Sequence, residues 1–454
     1  GDGIAKTEND GAIEDGAAIS IVERTGYKGL IAIKVESGTF TANGTNAAVK
    51  AYDWDNTNKT ESDFTQAAKV SVSGGTFSSE VDKSLCAEGY IPTKNTDGTY
   101  GVKVGQYVAE VNGAKYATLA EAVAAAQDGQ TVTLLADATE DVVISKSITL
   151  NLGGKTLTNT NVGKATISVT SGTVTVKNGN VVGGTGYYNI EVTKNSNANL
   201  TLTDVTATAG NNGSSMIDNW GTLTITSGTY NGGLNVVKSE EGSKLTITGG
   251  TFTLNYATNG YTGVIFAYGD TTISGGEFIQ NLTTTGRWNH PQVILTGVVE
   301  GYTAITKVTG GHFVNKMSGE SIFRGVGKAT SDNFKVSGGT FNKSISESFC
   351  ADGFIPTKNA DGTYGVKEGK FVAEVGSTKY ETLADAIRLA AKGRTVTLLA
   401  DVEQNTQLAI NKSITLDLNG KTIRNTADIW GDKANAIPVS YTHLRAHETG
   451  AYLV

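Results

Sequence analysis

One short phrase recurs down the chain: alternating Thr, Val or Ile residues, a glycine bend, one further residue and an aromatic ring. It reads KVSVSGGTF at 69–77, TITSGTY at 224–230, TITGGTF at 246–252, TISGGEF at 272–278, KVTGGHF at 307–313 and KVSGGTF at 335–341, with a shorter VESGTF at 35–40. Branched residues favour extended backbone and glycine pairs favour a sharp bend. Each copy therefore predicts a short strand, a bend, and a new strand that opens on a buried ring. The rings of Tyr230, Phe252, Phe278, Phe313 and Phe341 lie 22, 26, 35 and 28 residues apart. VTVKNGNVV at 174–182 and LTLTDVTAT at 200–208 continue the same phase without the ring. Self-similarity at this period, built from strand-type residues, is the signature of a solenoid. The expectation is a parallel β-helix with three short strands per coil, the longer intervals being loops on one edge. A sandwich with turns every 8–12 residues or so is the alternative. It predicts no such self-similarity, so the β-helix is favoured.

Composition narrows the function classes. The 454 residues include 57 Gly but only 4 Pro and 2 Cys, and 18% are charged, which suits many tight turns in a repeat array. The net charge of −7, with no basic stripe, argues against a nucleic-acid partner. No apolar run approaches the roughly 20 residues needed to span a membrane. The chain begins GDGIAK and is read as a piece of a longer multi-module protein.

Taken in order, residues 1–103 read as the end of one module. The polar stretch AYDWDNTNKTESDF carries Asp53, Asp55 and Asn58, but it lacks the turn Gly and distal Glu of a calcium loop, so a solvated loop is expected. SLCAEGYIPTKNTDGTYGV at 84–102 returns as SFCADGFIPTKNADGTYGV at 348–366. The Asp-Gly turns between extended segments predict a hairpin closing the end of a solenoid. After each copy comes a helix signal. In TLAEAVAAAQDG, Thr118 and Glu121 form a capping box, Leu119, Ala122, Val123 and Ala126 an apolar stripe, and Gly129 a stop. The later copy keeps Thr382, Leu383, Ala386, Ile387 and Gly393. The period, Cys86 to Cys350, is 264 residues. One complete module is expected at 107–367, a partial one at 1–103 and the start of a third at 371–438. The string VSYTHLRAHET at 439–449 resembles the translation of a transposase sequencing adapter, so 439–454 is set aside, including His443 and His447.

TLAEAVAAAQDGQTVTLLAD, SITLNLGGKTL and the GGTF phrases together resemble the pectin lyase-like right-handed β-helix superfamily. The DGTYGV closures are similar to tandem surface modules of gut Firmicutes and related bacteria. The resemblance covers essentially 1–438. It implies an all-β fold of right-handed parallel β-helix solenoid modules in tandem, each with a short N-terminal cap helix and a C-terminal closing hairpin. It also implies an extracellular or cell-wall-attached setting. The superfamily holds lyases, hydrolases and catalytically silent adhesins, so fold alone does not choose among them.

No catalytic constellation is legible, and no metal or cofactor set. In the complete module Arg287 and Arg324 are the only arginines, and neither has an evident Asp cluster beside it at coil spacing. His312 falls at the first outward position after a bend, and Asp204 and Asp218 read as turn residues. Cys86 and Cys350 read as small buried hydrophobes. The best ligand-binding candidates are Tyr256 and Tyr261 in LNYATNGYTG, with Arg287 and Trp288 in TTTGRWNHPQ. Loops at one phase of a solenoid gather on one edge, where such rings could stack on a polysaccharide or host glycan. Folding of the rings back over the core is the commoner fate. The leading expectation is a non-catalytic surface adhesin or stalk that binds glycans. The alternatives are a polysaccharide lyase or glycoside hydrolase, and a spacer without ligand.

Overall fold

The computed structural model describes residues 16–26, 30–184, 186–194, 196–210, 212–258, 260–284, 286, 289–406 and 408–426. The adapter-like segment 439–454 lies outside them. The chain is 6% helical and 45% strand, hence all-β, and its parallel coils stack into a solenoid of about 12 turns. It divides into two compact units, 1–185 and 186–454.

In the first unit, Ile19–Arg24 pairs in parallel with Val49–Asp55, Ile33–Val35 with Val70–Val72, and Thr39–Phe40 with Thr76–Phe77. Phe40 and Phe77 stack at 5.2 Å. The predicted hairpin follows: Tyr90–Lys94 and Tyr100–Val104 pair antiparallel, with Tyr100 also opposite Phe77. Asp97 accepts from the Thr99 amide (2.9 Å), as a turn Asp does. Asp55 likewise closes the loop expected to be solvated, accepting from the amides of Thr57 and Asn58.

Helix α1 (Leu119–Ala125) forms where the capping box places it. The Thr118 side chain accepts from Glu121 N, and the Glu121 side chain accepts from Thr118 N. Seven residues are too few to hold a helix alone, and the following strands complete it. Glu140 accepts from the amides of Leu119 and Ala120, while Lys146 donates to the carbonyls of Ala124 and Ala126. Each charge sits at the end of the helix dipole that favours it. Leu119, Ala122 and Val123 are buried. The next coils stack through the parallel strands Thr131–Leu134, Thr149–Asn151 and Thr173–Val182.

The second unit contains the aromatic phrases that end at Tyr230, Phe252, Phe278, Phe313 and Phe341. Each coil has three strands, as expected. One row faces inward and outward along Ile190–Val192 (β1), Ile217–Asn219 (β2), Val237–Ser239 (β3), Gly260–Ala267 (β4), Asn289–Val298 (β5) and Phe323–Gly327 (β6), each parallel to the next. Ile217, Val237, Ile265, Ile294 and Phe323 form its buried ladder. The aromatic strands form another. Tyr230, Phe252, Phe278, Phe313 and Phe341 are fully buried and stack successively at 4.9, 5.0, 4.9 and 5.3 Å.

The glycine pair has two separate reasons. A Cβ on Gly275 would lie 2.3 Å from the Thr248 carbonyl oxygen of the coil before, so only hydrogen allows that approach. Gly276 sits at φ +103°, which disfavours any side chain. The bend therefore fixes both the spacing between coils and the direction of the ring. The 35-residue interval between Phe278 and Phe313 is absorbed by the segments 281–288 and 299–305, on either side of β5.

The unit closes on a second hairpin, Phe354–Lys358 with Tyr364–Glu368, and Tyr364 stands antiparallel to Phe341. Helix α2 (Leu383–Leu389) repeats the α1 arrangement: Thr382 accepts from Asp385 N, and Lys412 donates to the Arg388 carbonyl. Cys86 and Cys350 are half-buried rather than buried, because each lies at an isolated bridge to Val72 or Val336 and not inside a strand ladder. Burial still pushes each thiol up to about 11. Among the described residues no helix is long and apolar enough to cross a membrane.

Removing one ring opens a hole between two others. Phe278→Ala is expected to lose about 3–5 kcal/mol in chemical denaturation of the full chain, and Gly275→Ala about 1–3 kcal/mol by overpacking. Wild-type stability in the glycine variant would show that the coils are not held at this separation.

Candidate functional site

Strand alternation decides what the β1–β6 row presents. With Ile217 and Asn219 inward, Asp218 points outward, and the parallel register lines up Glu191, Asp218, Lys238, Phe266, Leu295 and Arg324. Two residues further along, the ladder continues through Trp220, Glu240 and Tyr268, whose amides donate to the coil before at 3.0, 2.8 and 2.6 Å. Gly297 lies under the Tyr268 ring, where a Cβ would come within 2.2 Å of it. Two groups of side chains stand on this face.

The first is an acidic pair from neighbouring coils. Asp218 and Glu240 are only 1% and 5% exposed although both leave the strands on the outward side. Trp220 Nε1 donates to Asp218 Oδ2 (2.9 Å), and Lys238 pairs with Glu240. The ammonium of Lys194 lies 4.0 Å from the centre of the Trp220 ring. Asp218 Oδ1 meets no donor group, while the Asp218 carboxyl lies within hydrogen-bond reach of the Glu240 side chain. Two carboxyl groups thus share one nearby ammonium, Lys238, away from water. Burial raises the Asp218 pKa to about 7, and the Glu240 charge adds to the rise against the opposing pull of Lys238 and Trp220. Burial lowers the Lys238 pKa, but the Glu240 partner outweighs it and the net shift is upward. Asp218 is therefore not a turn residue. Asp204 is one: it sits at φ 52° and exchanges hydrogen bonds with Ser227.

The second group surrounds Tyr261, whose register partner is His290. Tyr261 is 38% exposed. Its ring lies 5.5 Å from that of His290 and 4.7 Å from the Arg324 guanidinium carbon, and Arg324 Nη2 donates to its hydroxyl (3.0 Å). Glu320 holds the group together. Its carboxylate accepts from His290 Nδ1 (2.8 Å) and from Gln292, and Arg324 Nη1 lies 3.7 Å away. Lys343 and Asn315 donate to the carbonyls of Glu320 and Ser321 (2.7 and 2.8 Å), which fixes the segment carrying Glu320. The arrangement presents an aromatic face, a guanidinium and an imidazole on a rigid sheet, with the anion that orients them mostly out of water.

Of the four sequence-level ligand candidates, Tyr261 is in this group. Tyr256 is half-buried before β4 and, among the described residues, makes no ring pair with it. Arg287 and Trp288 lie outside the described residues. Arg324, for which the sequence showed no Asp cluster at coil spacing, is brought to Tyr261 from 63 residues away. Glu240 and Glu320 went unnoticed. The legible signal for Glu240 was period-two alternation after Val-Lys-Ser, whose Val and Ser are buried and whose Lys is not; nothing local marks Glu320. His312 is half-buried beside the bend, as its position implied. Among the described residues, no group of three or more His, Cys, Asp or Glu is placed to hold a metal ion.

Comparison with family models, curated proteins and solved structures finds no match to this chain.

The sign of the Asp218 linkage follows from its raised folded pKa. Its contribution to stability is fully present below about pH 4 and is lost as pH rises to about 7, where the folded state at last releases the proton. Asp218→Asn removes that dependence. Its stability relative to wild type is expected to improve by roughly 3–4 kcal/mol between pH 4 and 7.5 in urea titrations. A constant difference across that range would show that Asp218 ionises normally.

Proposed function

We propose that this chain is a non-catalytic, glycan-binding part of a bacterial surface or secreted protein, built from tandem right-handed β-helix modules of the pectin lyase-like kind. The observation that carries the reading is the exposed Tyr261 ring, held in place by Arg324 and His290 through Glu320. Sugar rings bind by stacking an apolar face on an aromatic ring while their hydroxyl groups meet fixed donors and acceptors. Placing these groups in advance limits the entropy lost on binding. The recurrence of the hairpin and helix sequences after 264 residues supports a tandem array, and the acidic, polar composition suits a surface protein.

A second reading is glycoside hydrolysis at Asp218 and Glu240. It is favoured by a carboxyl group whose pKa burial raises to about 7, beside a second carboxyl group from the next coil. The burial of both groups stands against it, since a substrate oxygen must reach them.

Affinity electrophoresis of the full chain through gels containing a panel of polysaccharides tests both readings. Binding with the polymer left intact is expected, weakened about 5- to 30-fold by Tyr261→Ala and by Arg324→Ala. Unchanged retardation in both variants would remove Tyr261 and Arg324 from the site. Clearing of the polymer, abolished by Glu240→Gln, would establish the hydrolytic reading instead.

A further inference from the structure

Lys238 and Asp218 are register partners on the adjacent strands β3 and β2, and both leave the sheet on its outward side. Parallel neighbours lie about 4.8 Å apart, so the two side chains start one strand spacing from each other. Glu240 follows two residues after Lys238 and is fixed by its own backbone. Its amide donates to the Asn219 carbonyl (2.8 Å), and its carbonyl accepts from the Ser243 hydroxyl (2.6 Å). Its carboxylate pairs with the Lys238 ammonium and lies within hydrogen-bond reach of the Asp218 carboxyl. Glu240 thus touches the amine on one side and the acid on the other.

Three features separate this trio from an ordinary surface ion pair. Water is scarce: among the described residues, no other carboxylate in an ion pair is as little exposed as that of Glu240. Dehydration narrows the gap between the ionic pair and a neutral amine beside a neutral acid. The second feature is the state of Asp218. Burial raises its pKa to about 7, so in mildly acid solution it is mainly the neutral acid, which an amine can attack where it cannot attack a carboxylate. The third is the pattern of donors around it. Trp220 Nε1 donates to Oδ2 (2.9 Å), where charge builds when the carbonyl carbon is attacked, whereas no donor group holds Oδ1.

We propose that Lys238 and Asp218 become joined by an amide bond that ties two neighbouring coils together, with Glu240 as the proton relay. The resting amine is an ammonium. Its proton passes to Glu240 along the bond they share, which frees the Nζ lone pair. Nζ attacks Asp218 Cγ, and Trp220 steadies the charge on Oδ2. Glu240 returns its proton to the departing oxygen, which leaves as water, and takes the second proton from the nitrogen. One C–N bond forms, one C–O bond breaks, one water is released and Glu240 ends as the neutral acid. No oxidant, metal or activated donor is required, because the fold supplies proximity and the proton path. The inference stands apart from the glycan-binding reading.

The test is mass spectrometry of the purified full chain, intact and after digestion. The intact wild type is expected to weigh one water less than its sequence. Trypsin is expected to spare Lys238, so that residues 195–244 emerge as one peptide lighter by one water. Chymotrypsin, cutting after Trp220 and Tyr230, is then expected to leave the pieces carrying Asp218 and Lys238 still joined. Lys238→Arg is expected to restore the full mass. Glu240→Gln, with its β-sheet circular dichroism retained, is expected to form the link about 100-fold more slowly or worse. A wild type of full mass, cut normally at Lys238, would overturn the proposal without recourse to any variant. So would a water loss that persists in Lys238→Arg, since ring closure within Asp218-Asn219 would then account for it. Linking at the wild-type rate in Glu240→Gln would overturn the relay.

Discussion

The close approach of one coil's backbone to the next governs everything else in this structure. At the glycine bends the separation leaves room for hydrogen and nothing larger, as the 2.1–2.4 Å distances from a Cβ on Gly249, Gly275, Gly310 or Gly338 to the facing carbonyl show. The rings that follow then stack at 4.9–5.3 Å, close to the roughly 4.8 Å between hydrogen-bonded strands. Strand pairing and ring packing therefore prefer the same repeat distance. Neither has to strain to satisfy the other, and the register carries from coil to coil.

In-register stacking has different consequences inside and outside. Inside, like meets like, and the ladders of Ile, Val and Phe bury their surfaces on one another. Outside, whatever one coil carries is delivered about one strand spacing from what its neighbour carries. That is how Asp218 comes to face Lys238, and how Trp220, Glu240 and Tyr268 come to form a row. The same geometry concentrates charge. Burial of the Asp218 carboxyl is the main origin of its raised pKa, and the neighbouring Glu240 charge adds to the rise. At Tyr261 the charges balance differently. Glu320 is met by Arg324, His290 and Gln292, so no buried charge is stranded and the ring remains open to solvent.

Much of the fold was legible because it is local. Thr118 and Glu121 mark the start of a helix through bonds only three residues long, and Asp97-Gly98 marks a hairpin turn of the same reach. The coil period was readable from the rings because each ring must occupy the same place in its coil. The site was less legible. Asp218 looks like a turn residue in IDNWG, yet its neighbours Ile217 and Asn219 point inward and carry it onto a strand. Arg324 showed no partner of note because Tyr261 is 63 residues away and nothing local marks Glu320, although it lies at i,i+4.

The sequence by itself determined the coil, its three strands, its glycine bends, its buried rings, and the hairpins and helices that flank it. All of these rest on periodicity and on hydrogen bonds between near neighbours, which a linear string displays directly. Tertiary structure alone decided which outward side chains meet and which carboxyl groups lose water. Those outcomes depend on register between coils and on loops that reach across them. Electrostatic energy depends on distance and burial in space, and a residue's position in the string specifies neither.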